Sequence, residues 1–212
     1  MSTELKLKVC GMRDADNIRA IAAFQPDYMG FIFYRNSPRW VGEEFVMPDL
    51  PQIKKVGVFV NATSEEMLEA VTRHGLDVLQ LHGNESVGQV KEMVRHGVAI
   101  WKVFNLDAEF DFRQVEAYEP FVEVFLFDTK GKHFGGNATT FDWTVLKKYH
   151  QRIPFMLSGG LNATNVAGVH ELTAMNIRGV DLNSGVESAA GVKDPEKLRN
   201  VILALRNNDN KD

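Results

Sequence analysis

The sequence predicts an α/β fold: a single closed (β/α)8 barrel filling residues 1–206. Eight short runs rich in β-branched, aliphatic or aromatic residues recur at 5–10, 28–33, 55–60, 78–81, 99–103, 124–128, 155–158 and 179–182. Such runs, separated by amphipathic stretches, are the pattern of βα units in a parallel sheet. Their starts are spaced by roughly 20 to 30 residues, room for one strand, one helix and two loops. A chain of 212 residues, 44% hydrophobic and 25% charged, holds enough apolar material for one core and sits at the compact end for a TIM barrel. An open doubly wound sheet usually has fewer strands, and its glycine-rich dinucleotide fingerprint is missing after Cys10.

Taken in order, strand one alternates, with Lys6, Lys8 and Cys10 on one face and Leu7 and Val9 on the other. If Leu7 and Val9 meet the helices, Lys8 points into the barrel, where it needs an acidic partner and would lower the thiol pKa of Cys10. After strand three, Thr63 or Ser64 precedes Glu65, Glu66 and the apolar Met67, Leu68, Ala70 and Val71, a capped amphipathic helix that Gly75 ends. Aromatic and acidic residues in 105–118 suggest a helix, although Phe110, Asp111 and Phe112 break its period. Residues 131–140 read as a glycine-containing loop that could close over a bound molecule. Asn162 and Thr164 could open the helix after strand seven, and Asp194-Pro195 opens the last one with proline in its first turn. The polar stretch 207–212 is expected to be a tail.

Charge and composition exclude several classes. The formal charge is −4 and the lysines and arginines are scattered, so there is no footprint for nucleic acid, and a small-molecule partner is expected. Met1 to Cys10 interleaves lysine with apolar residues, unlike a signal peptide, and no apolar run reaches membrane length, so a cytoplasmic protein is expected. One cysteine permits no internal disulfide, and no Cys/His cluster has zinc-ligand spacing. The chain is expected to act as a monomer or a homodimer.

In such a barrel the chemistry lies at the carboxyl ends of the strands. That filter selects Cys10, Arg39, His82, Asp128, the turn Gly159-Gly160 and the segment Asn183-Ser184-Gly185. Glycine-bearing turns after the last two strands suit a phosphate held by loop N–H groups, although glycines can also simply permit tight turns. A lone cysteine is often a small buried hydrophobe, and a strand-end aspartate often holds backbone N–H groups. Asp128 closes the apolar run Val124-Phe125-Leu126-Phe127. To act as a general acid it would need apolar surroundings or a nearby thiolate to keep its proton. Arg39 could grip a carboxylate bidentately, with Arg13 and Arg35 as competitors. His82 reads as polar lining or a turn-stabilising residue, with no acidic orienter evident in the sequence.

The ordered motifs Lys8-Val9-Cys10-Gly11, Gly30-Phe31-Ile32-Phe33-Tyr34, Ser37-Pro38-Arg39, Gln80-Leu81-His82-Gly83, Asp128-Thr129-Lys130, Gly135-Gly136, Phe141-Asp142-Trp143, Ser158-Gly159-Gly160 and Ser184-Gly185-Val186-Glu187 span nearly the whole chain. Together they resemble the phosphoribosylanthranilate isomerase family. The resemblance implies an Amadori rearrangement of N-(5'-phosphoribosyl)anthranilate without metal or organic cofactor, in tryptophan biosynthesis. It puts Cys10 in the base position, Asp128 in the acid position and Arg39 where the anthranilate carboxylate is bound, and it places the phosphate at the turns 159–160 and 184–185. The chain departs from the family in having Asn183 where a hydroxyl-bearing residue is common, and Met12-Arg13 after Gly11. Two alternatives compete: an isomerase of the related aminoaldose in histidine biosynthesis, which would be expected to use two aspartates, and a non-catalytic barrel that binds a phosphorylated metabolite.

Overall fold

The computed structural model of the chain describes residues 5–129, 143–150 and 152–206. The expected loop at 131–140, the motif residues Lys130, Gly135-Gly136 and Phe141-Asp142, and the tail 207–212 lie outside them.

Eight parallel strands close into a barrel in chain order: β1 (Lys6–Val9), β2 (Tyr28–Ile32), β3 (Lys54–Phe59), β4 (Val78–Leu81), β5 (Ala99–Leu106), β6 (Val124–Thr129), β7 (Phe155–Ser158) and β8 (Ile177–Leu182). The ring is shut by β1 against β8, with Lys6 opposite Gly179 and Val9 opposite Leu182. A small antiparallel ribbon, β9 (Glu187–Ala189) with β10 (Val192–Lys193), follows the last barrel strand.

Both faces of the strands are buried, as a helix-covered parallel sheet requires. Val9, Met29, Phe31, Leu79, Ile100, Phe125, Phe127, Phe155 and Val180 face outward and pack with helix residues such as Ile18, Met67, Val90 and Leu198. Tyr28, Val56, Val78, Trp101, Val103, Val124, Leu126 and Met156 fill the interior, where the Tyr28 and Trp101 rings meet edge to face at 4.8 Å. Each such large side chain removed from water contributes about 1.5–3 kcal/mol. Val9 faces the helices and Lys8 the interior, as strand one's alternation required.

The helices are α1 (Ala15–Ala22), α2 (Ser64–His74), α3 (Val87–Val94), the single turn α4 (Arg113–Glu116) and α5 (Pro195–Arg206). Thr63 caps α2 in a reciprocal capping box with Glu66, and Gly75 closes the helix in the left-handed conformation. Pro195 opens α5, with the Asp194 carboxylate accepting from the N–H groups of Glu196 and Lys197.

Three connections depart from the sequence reading. Residues 33–53 join β2 to β3 through turns without a helix. Pro38, Pro48 and Pro51 remove backbone donors there, and Phe45, Leu50 and Ile53 cover the barrel instead. In the 105–118 segment, Asn105 and Leu106 extend β5 and only α4 is helical, so the broken period reflects a short turn between aromatic contacts. After β7, Asn162 accepts from the Thr164 N–H and hydroxyl in a tight turn, so its side chain is not free to start a helix. A 3-10 stretch, Val166–Leu172, begins beyond it.

Candidate active site

At the carboxyl ends of the strands a cavity of about 160 Å³ is lined by Cys10, His82, Asp128, Gly159, Gly160, Asn183 and Ser184, with Gln80, Ser158 and Asp181 among its other walls. Seven of the nine side chains or turns selected from sequence thus meet at one mouth. Arg39 and Gly185 are the two that do not reach its wall.

Cys10 follows β1 directly. Its N–H donates to the Leu182 carbonyl at 2.8 Å, continuing the β1–β8 ladder, and its side chain packs against Ile32 and Val58. Gly30 makes room for it: a Cβ at that position would stand 2.6 Å from the Cys10 sulfur. One inward step below, the Lys8 ammonium forms a 2.8 Å ion pair with Asp181 of β8, and both are buried. Lys8 therefore has the acidic partner its inward position demanded. Burial pulls the Lys8 ammonium down, but Asp181 and Cys10 outweigh it and hold its pKa above the ordinary lysine value.

The expected lowering of the Cys10 pKa is not what the structure gives. Burial pushes the thiol up, and this exceeds the pull of Lys8, which Asp181 opposes. The resting group is a thiol.

Asp128, the penultimate residue of β6, projects into the mouth with Phe125 and Phe127 buried on the other face of the strand. His82 Nε2 lies 3.5 Å from Asp128 Oδ2, so an acidic neighbour for His82 exists, supplied from 46 positions along the chain. On its other side, His82 Nδ1 is 3.5 Å from Gln80 Nε2. The turn carrying His82 is pinned from beneath. Buried Lys102 donates to the carbonyls of Leu81 and Gly83 and to Glu85, while Glu85 accepts from the Gly83 and Asn61 N–H groups.

The turn after β7 depends on glycine. Gly159 has φ +110°, and a Cβ there would come within 2.0 Å of the Thr129 carbonyl oxygen. The Gly160 carbonyl accepts from Asn162 and Asn165, which fixes the turn's course. After β8, Ser184–Val186 forms a single 3-10 turn. Gly185 packs so closely beneath it that a Cβ would stand 1.9 Å from the Leu161 carbonyl oxygen, which explains a glycine there without exposing it to the cavity. Asn183, the residue departing from the family pattern, accepts from Lys193 Nζ at 2.8 Å.

Arg39 stands at the rim near Gly11 and Asn183. Its guanidinium is held bidentately by Glu187, and Lys193 joins the same carboxylate. Arg13 donates to the Pro38 carbonyl, which makes it a rim cover, and Arg35 pairs with Glu43. Sequence reasoning missed Gln80, Asp181, Glu187 and Lys193. Asp181 had a usable signal, as an acid within an apolar barrel strand while Lys8 lacked a partner.

A larger cavity of about 520 Å³ lies beside the barrel, between the segment following β2 and α2, and includes Arg35, Trp40, Glu66 and His74 but neither Cys10 nor Asp128. Among the described residues no cluster of three His, Cys, Asp or Glu side chains could hold a metal ion, and no helix is long and apolar enough to cross a membrane.

Known proteins share both sequence and architecture. Residues 7–204 match the family model described as N-(5'-phosphoribosyl)anthranilate (PRA) isomerase. A protein named N-(5'-phosphoribosyl)anthranilate isomerase from Parabacteroides distasonis is 43% identical over 204 residues, covering 94% of this chain and 92% of its own. A second of that name, from Phocaeicola vulgatus, is 38% identical, with 94% and 97% covered. The crystal structure of phosphoribosyl anthranilate isomerase from Thermotoga maritima superposes with a TM-score of 0.83 at 30% identity, over 96% of this chain and 99% of that one. A phosphoribosyl anthranilate isomerase in complex with reduced 1-(o-carboxyphenylamino)-1-deoxyribulose 5-phosphate gives a TM-score of 0.79 at 27% identity, with 96% and 99% covered. With the matched model spanning the whole barrel, the chain belongs to the N-(5'-phosphoribosyl)anthranilate isomerase family.

Proposed function

We propose that the chain catalyses the Amadori rearrangement of N-(5'-phosphoribosyl)anthranilate to 1-(2-carboxyphenylamino)-1-deoxyribulose 5-phosphate, the isomerase step of tryptophan biosynthesis, by general acid-base catalysis with Asp128 and Cys10. The observation that carries this reading is a single cavity in which a thiol from the end of β1 and a carboxylate from β6 stand beside two glycine-bearing turns after β7 and β8.

In this account the turns at Gly159-Gly160 and Asn183-Ser184 hold the ribose phosphate, with backbone N–H groups as donors. The protonated Asp128 donates to the furanose ring oxygen as the C1'–O bond breaks, and the anilinic nitrogen lone pair forms the C1'=N bond of a protonated Schiff base. Cys10, as thiolate, removes the proton from C2'. The C2'–H electron pair forms the C1'=C2' bond while the C1'=N π electrons return to nitrogen, giving an enolamine. Proton transfer from the C2' hydroxyl to C1' then yields the ketone, so the reaction is redox-neutral and leaves no atom behind. His82, beside Asp128, keeps that carboxyl directed at the ring oxygen. Arg39 supplies the positive charge for the anthranilate carboxylate, which competes with Glu187 for its guanidinium.

The purified protein, mixed with freshly generated phosphoribosylanthranilate, is expected to abolish the anthranilate-type fluorescence at an enzymatic rate, with the deoxyribulose phosphate product recovered by mass and chromatography. The aminoaldose substrate of the histidine-pathway isomerase serves as the comparison. Turnover of that compound in preference would overturn the assignment.

A further inference from the structure

Resting on the reading of Cys10 as the base, we infer that Lys8 and Asp181 form an electrostatic clamp that sets the ionisation of Cys10 with opposite signs, both acting as positioning residues through the sulfur. Lys8 and Cys10 lie on the same inward face of one strand, two residues apart, and Asp181 comes from the neighbouring strand in register with Lys8. The pair has a length of 2.8 Å, and its side chains are 0% and 5% exposed, so water screens it little. Asp181 also lines the cavity that holds Cys10 and Asp128, which puts this anion between the base and the acid.

An ion pair at this depth calls for an explanation. Barrel interiors are ordinarily filled by aliphatic side chains, and a buried pair stabilises no better than a hydrophobic replacement of equal volume. Here the pair sits directly under the sulfur. A thiolate forming there needs a cation, which Lys8 provides. Asp181 fixes that cation's position and, as an anion, limits how far the thiol is acidified. The other charged or titratable groups around the sulfur are Arg39 after β2, His82 after β4, Asp128 of β6 and Lys193 of β10. Of these, Lys193 already answers to Glu187 and Asn183, and Arg39 to Glu187. From β2 and β3 only the uncharged Ile32 and Val58 pack against Cys10. Lys8 is thus the cation with no other anion than Asp181 and the thiolate to balance it.

The test is the pH dependence of Cys10 alkylation by iodoacetamide, followed by mass spectrometry on wild type, Lys8→Met, Lys8→Arg and Asp181→Asn, with near-UV circular dichroism reporting the fold. No substrate is involved. Lys8→Met is expected to move the midpoint up by about one pH unit or more, slowing alkylation about tenfold at a fixed pH below it. Lys8→Arg should remain near wild type. Asp181→Asn should move the midpoint down, because the thiolate becomes the only anion left to balance Lys8. Midpoints that stay in place, or move in the same direction in both charge-removing variants, overturn the clamp. If Lys8→Met does not fold, Asp181→Asn decides alone, and a midpoint that does not fall overturns the inference. The acid limb of kcat/KM read on the same variants separates the two ideas: midpoints that split while the limb stays fixed uphold the clamp and refute Cys10 as base.

Discussion

Arg39 and Glu187, 148 positions apart, form a two-pronged pair, Nε to Oε1 at 2.8 Å and Nη2 to Oε2 at 2.7 Å. It ties the segment after β2 to the turn after β8 across the mouth of the barrel. Lys193 adds a third donor at 2.5 Å, and the Gly191 N–H a fourth. Burial raises the Glu187 carboxyl, but these donors more than reverse it and leave its pKa at about 2, down from 4.5. The unfolded chain therefore takes up a proton at higher pH than the folded one. The stability this group contributes is complete above pH 4.5 and is lost as pH falls towards 2. Its size is on the order of 3 kcal/mol. Glu187→Gln is expected to lower the urea midpoint strongly at pH 7 and much less at pH 3. An equal loss at both pH values would contradict this origin.

The phosphate turn separates two kinds of glycine. At Gly159 an added methyl group meets the Thr129 carbonyl at 2.0 Å, and φ is +110°. At Gly160, φ is +65° and nothing lies within 4 Å of an added Cβ. Gly160→Ala is expected to cost about 1–2 kcal/mol, the left-handed penalty alone. Gly159→Ala should cost clearly more and raise KM, because the backbone must move. Thermal unfolding and kinetics of the two variants check this, and similar losses would contradict it.

Gly30 tests how closely the sulfur is positioned. Its added methyl would stand 2.6 Å from the Cys10 sulfur and 3.1 Å from the Cys10 Cα. Gly30→Ala must displace the side chain or the strand end, and since misplacement by about 1 Å can cost roughly a hundredfold in rate, kcat is expected to fall at least tenfold. Product affinity should change by less than kcat. Unaltered kcat would show that the sulfur's position is not critical.

Much of this arrangement was legible in the sequence because strand signals are local. Buried parallel strands read as continuous apolar runs, and all eight were found to within a few residues. Capping at Thr63 and the proline start at Pro195 were equally visible, being contained in four-residue windows. The connections were less so. Whether residues 33–53 form a helix is decided by how Phe45, Leu50 and Ile53 drape over the barrel, which propensity does not encode.

The candidate site was legible as positions and opaque as partnerships. Strand ends pointed to Cys10, Asp128 and the glycine turns, and the cavity joins them. Yet the neighbours that govern their charge come from across the ring: Asp181 beneath Cys10, Asp128 beside His82, Glu187 on Arg39. The inward direction of Lys8 followed from alternation. The sign of its net effect on Cys10 did not, because burial and Asp181 enter only with the closed barrel.

The most direct measurement compares turnover of phosphoribosylanthranilate by wild type, Cys10→Ala and Asp128→Asn, with the affinity of each for the deoxyribulose phosphate product measured alongside. Loss of a general acid or base is expected to cost about 10²- to 10⁴-fold in kcat while product affinity stays within a few-fold of wild type. Turnover in either variant close to wild type would remove that residue from the mechanism. A matching collapse of product affinity would assign it to binding instead.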